Sequence, residues 1–139
     1  MNYLDYAATT PVNAEVLEVI TKEMASFGNP SSVYRIGREQ KQKIERVKKA
    51  ILSELQASPH DAIIFTSSGS EGNNLVFESI REHFAKEKGH IIVSAVEHPS
   101  VRKPAEFLEQ EGFDVTYLAP NKDGIVTVSE IEQALREDT

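Results

Sequence analysis

Phe65-Thr66-Ser67-Ser68-Gly69-Ser70-Glu71-Gly72-Asn73-Asn74-Leu75 follows directly on the apolar run Ala62-Ile63-Ile64-Phe65 and opens a long helical pattern. Four small hydroxyl or glycine residues separate the two. This is the layout of a strand, a tight turn and a helix N-terminus. Such a turn presents free backbone N–H groups and the positive end of a helix dipole, so it is a candidate anion site. Gly69 has no Cβ and lets a ligand approach the backbone. The N–H groups of Gly69, Ser70 and Glu71, with the Ser70 hydroxyl, are the candidate donors. The competing reading is an ordinary cap, with Ser67 or Ser70 satisfying the orphan donors. The turn is not a Walker loop, because no Gly-Lys-Ser/Thr follows, and the G-x-G-x-x-G spacing of a dinucleotide fingerprint is missing.

The pattern around the turn repeats. Ala62–Thr66 reads as a short buried strand, and Ser70–Lys88 as a helix with Leu75, Val76, Ile80 and Phe84 on one side. His90–Ala95 reads as a second strand of the fully buried type. Pro99–Glu111 reads as a helix with Pro99 at its first position, and Asp114–Leu118 as a third strand. Thr127-Val128-Ser129-Glu130 has capping-box spacing and opens a last helix. Strand, helix, strand, helix, strand implies a parallel sheet with right-handed crossovers. Upstream, apolar residues at Val16, Leu17, Ile20 and Met24 indicate an amphipathic helix within Pro11–Phe27. A breaker cluster, Phe27–Ser32, separates it from a helix over Ile36–Gln56 with Ile44, Val47, Ile51, Leu52 and Leu55 on its stripe. Lys41, Lys43, Arg46, Lys48 and Lys49 lie mostly off that stripe, as a solvated face. The division expected is 1–60, an N-terminal arm with helices, and 61–139, the first part of an α/β domain.

Composition narrows the function. The 139 residues carry a net charge of −7, which argues against nucleic acid or an anionic membrane as main partner. There is no cysteine, so this chain holds no disulfide, zinc-thiolate site or thiol nucleophile. No apolar run approaches the roughly 20 residues needed to span a bilayer. The first residues do not read as a signal peptide, so a cytoplasmic location is expected.

Three further segments stand out. His98, in Glu97-His98-Pro99-Ser100, follows the carboxyl end of a strand, where ligands of open α/β sheets collect. It is a candidate for stacking or proton transfer, and equally a plain surface-loop histidine. Leu4-Asp5-Tyr6-Ala7-Ala8-Thr9-Thr10-Pro11 is small and hydroxyl-bearing, which suggests close packing or an N-terminal arm. Asn29-Pro30-Ser31-Ser32, followed by Tyr34 and Arg35, is a rigid loop or a substrate lip; Arg35 and Arg38 are candidates for pairing with a carboxylate.

Together the Tyr3–Pro11 segment, Gly28–Ser32, the Phe65–Leu75 turn and Glu97-His98-Pro99 give a chain that resembles the N-terminal part of a cysteine desulfurase. This is a class V aminotransferase-like, pyridoxal phosphate (PLP)-dependent enzyme, and the nearest branch is the one that builds iron–sulfur clusters. The resemblance implies a partial three-layer PLP fold type I large domain: α/β, with N-terminal helices and the start of a mainly parallel sheet. It places Gly69 and Ser70 at the PLP phosphate and His98 over the pyridine ring, with a possible part in proton shuttling. Ser70 stands for the commoner threonine and Ser68 for a more usual glycine. It implies L-cysteine as substrate, a homodimer, a sulfur-acceptor or scaffold protein, and no metal ligands. It also implies that the Schiff-base lysine, the aspartate on the pyridine nitrogen and the persulfide cysteine lie beyond residue 139. The segment alone is then inactive, with exposed edges that invite a complementing C-terminal segment. In that fold Ala62–Thr66 pairs with strands formed later in the chain. Another class V enzyme and a non-catalytic stand-alone module are the alternatives.

Overall fold

The computed structural model describes residues 2–58 and 60–139. It divides into two compact units, Met1–Ile63 and Ile64–Thr139.

The first unit holds α1 (Ala14–Met24) and α2 (Arg35–Glu54). The α1 helix begins later than the expected Pro11, because the Asn13 side chain accepts from the Glu15 N–H at 2.8 Å and so caps the helix. Lys43 reaches back to Glu23 at 2.7 Å, and Gln40 donates to the Ser26 hydroxyl at 2.9 Å. The basic face of α2 is otherwise solvated as expected, with Lys48 near Glu45 and Arg35 near Glu39. Val16, Leu17, Ile20 and Met24, the apolar stripe of α1, are all exposed. The Leu4–Pro11 segment is not closely packed: each of its residues is exposed, and Asp5 closes a short turn by accepting from the Ala8 N–H. Between the helices, the Asn29 side chain and carbonyl accept from the N–H groups of Ser31 and Ser32 at 2.9 and 3.0 Å.

The second unit holds α3 (Gly69–His83), β1 (His90–Ser94), α4 (Pro99–Gln110), β2 (Asp114–Leu118) and α5 (Val128–Ala134). β1 and β2 pair in parallel, in a register that sets His90 opposite Asp114 and Ser94 opposite Leu118. α4 packs on both strands and on α3. The core lies there: Ala105 and Leu108 on one face of α4, Val93 of β1 and Phe113. These are the only fully buried hydrophobic residues among those described. His90, with no role visible in the sequence, is buried beside them, its two ring nitrogens at 2.9 Å from the Thr139 hydroxyl and 2.7 Å from that of Thr116.

Three expectations are corrected. Ala62–Thr66 forms no strand: the segment is irregular, and Ile64 and Phe65 are 71% and 56% exposed. A strand exists only through its hydrogen-bonded neighbour, and the sheet of the described residues contains β1 and β2 alone. For the same reason β1 is not fully buried; only His90 and Val93 are. The α3 helix stops at His83 rather than Lys88, since Phe84 leaves helical geometry (φ −104°, ψ 24°) and Lys88 takes a left-handed φ of 49° before Gly89.

The capping box at the start of α5 forms as read. Thr127 Oγ1 accepts from the Glu130 N–H, and the Glu130 carboxylate accepts from the Thr127 N–H at 2.7 Å. The Thr127 hydroxyl and N–H hold the Glu130 carboxyl below the ordinary carboxylate range. Arg136 does the same for Asp114, and Lys103 and Arg102 for Glu106. A lowered folded-state pKa contributes stability above the unfolded value and loses it as pH falls through the folded one. The urea midpoint should therefore be flat near neutrality and fall once pH drops below about 4. Glu130→Gln should shrink that acid limb; a midpoint indifferent to acid would contradict these pairings.

Candidate functional site

The turn before α3 is built by three local contacts. Ser68 is the N-cap: its hydroxyl accepts from the Glu71 N–H at 3.2 Å. Neither Ser67 nor Ser70 is the cap. The Glu71 carboxylate folds back to accept from the Ser67 N–H at 2.5 Å and its hydroxyl at 2.6 Å. Those two bonds, the side-chain one first, lower the Glu71 pKa. Thr66 donates its hydroxyl to the Ser68 carbonyl at 3.0 Å. The signal for this cap was present in the sequence, since Ser68-Gly69-Ser70-Glu71 has S-x-x-E spacing. The carboxylate, however, reaches Ser67, one residue before the position a regular capping box uses.

This arrangement revises the set of anion donors. The Glu71 N–H is spent on Ser68. The N–H groups of Gly69 and Ser70, and the Ser70 hydroxyl, have no hydrogen-bond partner among the described residues. They sit in the first turn of a 15-residue helix, where the macrodipole favours an anion. A Cβ built on Gly69 would meet nothing within 4 Å, so the space before the turn is open. Two free amides, one hydroxyl and open space fit a phosphate group.

His98 is the N-cap of α4. Its Nδ1 accepts from the Ser100 N–H at 3.1 Å and lies 2.8 Å from the Ser100 hydroxyl. That hydroxyl in turn accepts from Asn73 Nδ2 of α3 at 3.0 Å. The bond from Asn73 to Ser100 joins the beginnings of α3 and α4, so the Gly69–Ser70 turn and His98 belong to one end of the second unit. Nothing in the sequence marked Asn73 or Ser100 for this, because the contact spans 27 positions. The Asn29–Ser32 loop and Arg35 belong to the other unit, where Arg35 pairs with Glu39 at 2.8 Å. Among the described residues there is no cluster of potential metal ligands, and no helix is long and apolar enough to cross a membrane.

The turn before α3 thus offers a phosphate-sized donor set, and His98 caps the helix packed beside it. The chain belongs to the aminotransferase class-V family, whose profile matches residues 2–139. That family is PLP-dependent in general. Over 138 residues the chain is 43% identical to the cysteine desulfurase IscS of Dictyoglomus turgidum, matching 99% of this chain and 35% of the relative. It is 39% identical to the mitochondrial cysteine desulfurase of Eremothecium gossypii, again over 99% of this chain but 28% of the relative. Among solved structures it resembles SspA in complex with cysteine, with a TM-score of 0.89 and 38% identity over 99% of this chain and 40% of that one. The α/β fold is thus that of part of a cysteine desulfurase. The chain spans about a third of the length of the curated relatives it matches.

Proposed function

We propose that this chain is the N-terminal part of a cytoplasmic, PLP-dependent cysteine desulfurase, and that it supplies the phosphate cradle and the ring-facing histidine of the active site. The observation that carries this is the bond from Asn73 to Ser100, which puts the free donors of Gly69 and Ser70 and the imidazole of His98 at one end of the same unit. The identities to cysteine desulfurases over 99% of the chain support it.

In this reading the Gly69 and Ser70 amides and the Ser70 hydroxyl bind the phosphate through charge-assisted hydrogen bonds. His98 packs on the ring and exchanges a proton at Nε2. The cofactor, when bound, acts as the electron sink of the reaction. The net change is L-cysteine plus an enzyme thiol giving L-alanine plus an enzyme persulfide, with the sulfur passed on to an acceptor or scaffold protein for iron–sulfur cluster assembly. The thiol comes from sequence outside these 139 residues, since the chain has no cysteine, and the resemblance assigns the covalent lysine and the aspartate facing the ring nitrogen to that same outside sequence. A homodimer is part of the proposal.

The test is alanine formation from L-cysteine by the whole polypeptide that carries this chain, supplied with PLP. Alanine and persulfide in equal amounts are expected. Ser70→Ala should raise the PLP concentration for half-saturation about tenfold or more, the size of one lost hydrogen bond to a charged group. Turnover of another amino acid in place of L-cysteine would move the assignment to a different class V enzyme. No turnover at all would leave a non-catalytic module. The 139-residue chain alone should form no alanine, and a PLP absorbance that survives its dialysis would contradict an external lysine.

A further inference from the structure

We infer that Ser100, itself held by Asn73, is the positioning residue that fixes His98 as its Nε2–H tautomer. A backbone N–H can only donate. The Ser100 N–H lies 3.1 Å from His98 Nδ1, so Nδ1 presents a lone pair to it. The Ser100 hydroxyl, at 2.8 Å from the same Nδ1, then also donates. Its oxygen is left to accept, and Asn73 Nδ2 fills that place at 3.0 Å. All three groups point their donors one way, from Asn73 to Ser100 to His98. The proton of the neutral ring is thereby put on Nε2, which has no hydrogen-bond partner among the described residues.

The hold is anchored at both ends. Ser100 is the second residue of α4 and Asn73 lies just past the first turn of α3, two helices that pack on each other. Asn73 and Ser100 are half-buried while His98 is exposed. The bond from Asn73 to Ser100 is therefore partly shielded, while the bonds from Ser100 to His98 lie at the surface with the ring. Pro104, one helical turn after Ser100, has no N–H to offer the Ser100 carbonyl, so this first turn relies on the cap more than an unbroken helix would. The use of Nε2 as the atom that exchanges a proton with a ligand rests on the reading under Proposed function; the tautomer does not.

Nitrogen-15 NMR of the labelled, cofactor-free chain tests it at a pH where His98 is neutral. Nδ1 should resonate as a lone-pair nitrogen and Nε2 as a protonated one. Ser100→Ala should lower the ratio of Nε2–H to Nδ1–H forms about fivefold, the size of one ordinary hydrogen bond. Ser100→Thr, which keeps the hydroxyl, should restore it. Asn73→Ala leaves Ser100 in place and should move the ratio in the same direction by less, which provides a second reading if Ser100→Ala does not fold. A majority Nδ1–H form in the wild-type chain, or an unchanged ratio in a folded Ser100→Ala or Asn73→Ala variant, overturns the inference. No cofactor is present in this measurement, so failure of the PLP assignment leaves its outcome unaffected.

Discussion

Leu108→Ala should cost the second unit about 2–5 kcal/mol, the range for truncating a buried leucine. Leu108, on α4, is 1% exposed. Only Ala105, Val93 and Phe113 share that depth among the described hydrophobic residues, so little is left to collapse into the space. A whole domain is stable by about 5–15 kcal/mol, and this single change removes a large fraction of that. The effect extends to the site. α4 carries His98 at its N-terminus and is tied to α3 through Ser100 and Asn73, so loosening α4 separates the histidine from the Gly69–Ser70 turn. Urea unfolding followed by circular dichroism measures the loss. Leu4→Ala, at a residue 91% exposed, is the control and should leave the midpoint unchanged. A loss below about 1 kcal/mol at Leu108, the typical effect of an unremarkable substitution, would mean that this face is not the core.

Gly37→Ala should also be strongly destabilising, against what helix propensity suggests. Gly37 is the third residue of α2, and in an open helix alanine would be favoured there by about 1 kcal/mol. A Cβ at this position, however, would fall onto the Ser32 side chain and the Asn29 carbonyl oxygen, well inside contact distance. The side chain can rotate; the carbonyl cannot, because it closes the Asn29–Ser32 turn by accepting from the Ser32 N–H at 3.0 Å. Overpacking of this kind costs about 1–3 kcal/mol, which outweighs the propensity gain. The damage should be local. Amide exchange should accelerate at the Ser32 N–H and in the first turn of α2, where the Arg38 N–H bonds the Tyr34 carbonyl at 3.0 Å. Slower exchange there would show that the turn yields and that propensity prevails.

The elements that could be read from sequence are those whose causes are local. Asp114–Leu118 is an apolar, β-branched run between turn signals, and it forms with the bounds expected. Pro99 opens α4 because its missing N–H is one that a helix start leaves unpaired anyway. Thr127 and Glu130 cap α5 because both partners lie within three residues. The turn at Ser67–Ser70 was legible on the same grounds, as was the helix after it, though not the strand before it. The identity of the cap had a signal too, since of the three serines within four positions only Ser68 has a glutamate three residues on, and the expectation of Ser67 or Ser70 passed over it.

What the chain determines by itself is therefore its alternation of helices and strands, its polar turns and the family to which these belong. That Ala62–Thr66 pairs with neither β1 nor β2 agrees with the order the resemblance implies, and without a neighbour its own residues make no strand. Tertiary structure alone decided that the Glu71 amide is spent on the Ser68 cap while those of Gly69 and Ser70 remain free. It alone joined Asn73 to His98 through Ser100, because a side-chain contact across 27 positions depends on how α3 packs on α4, and no local periodicity records that.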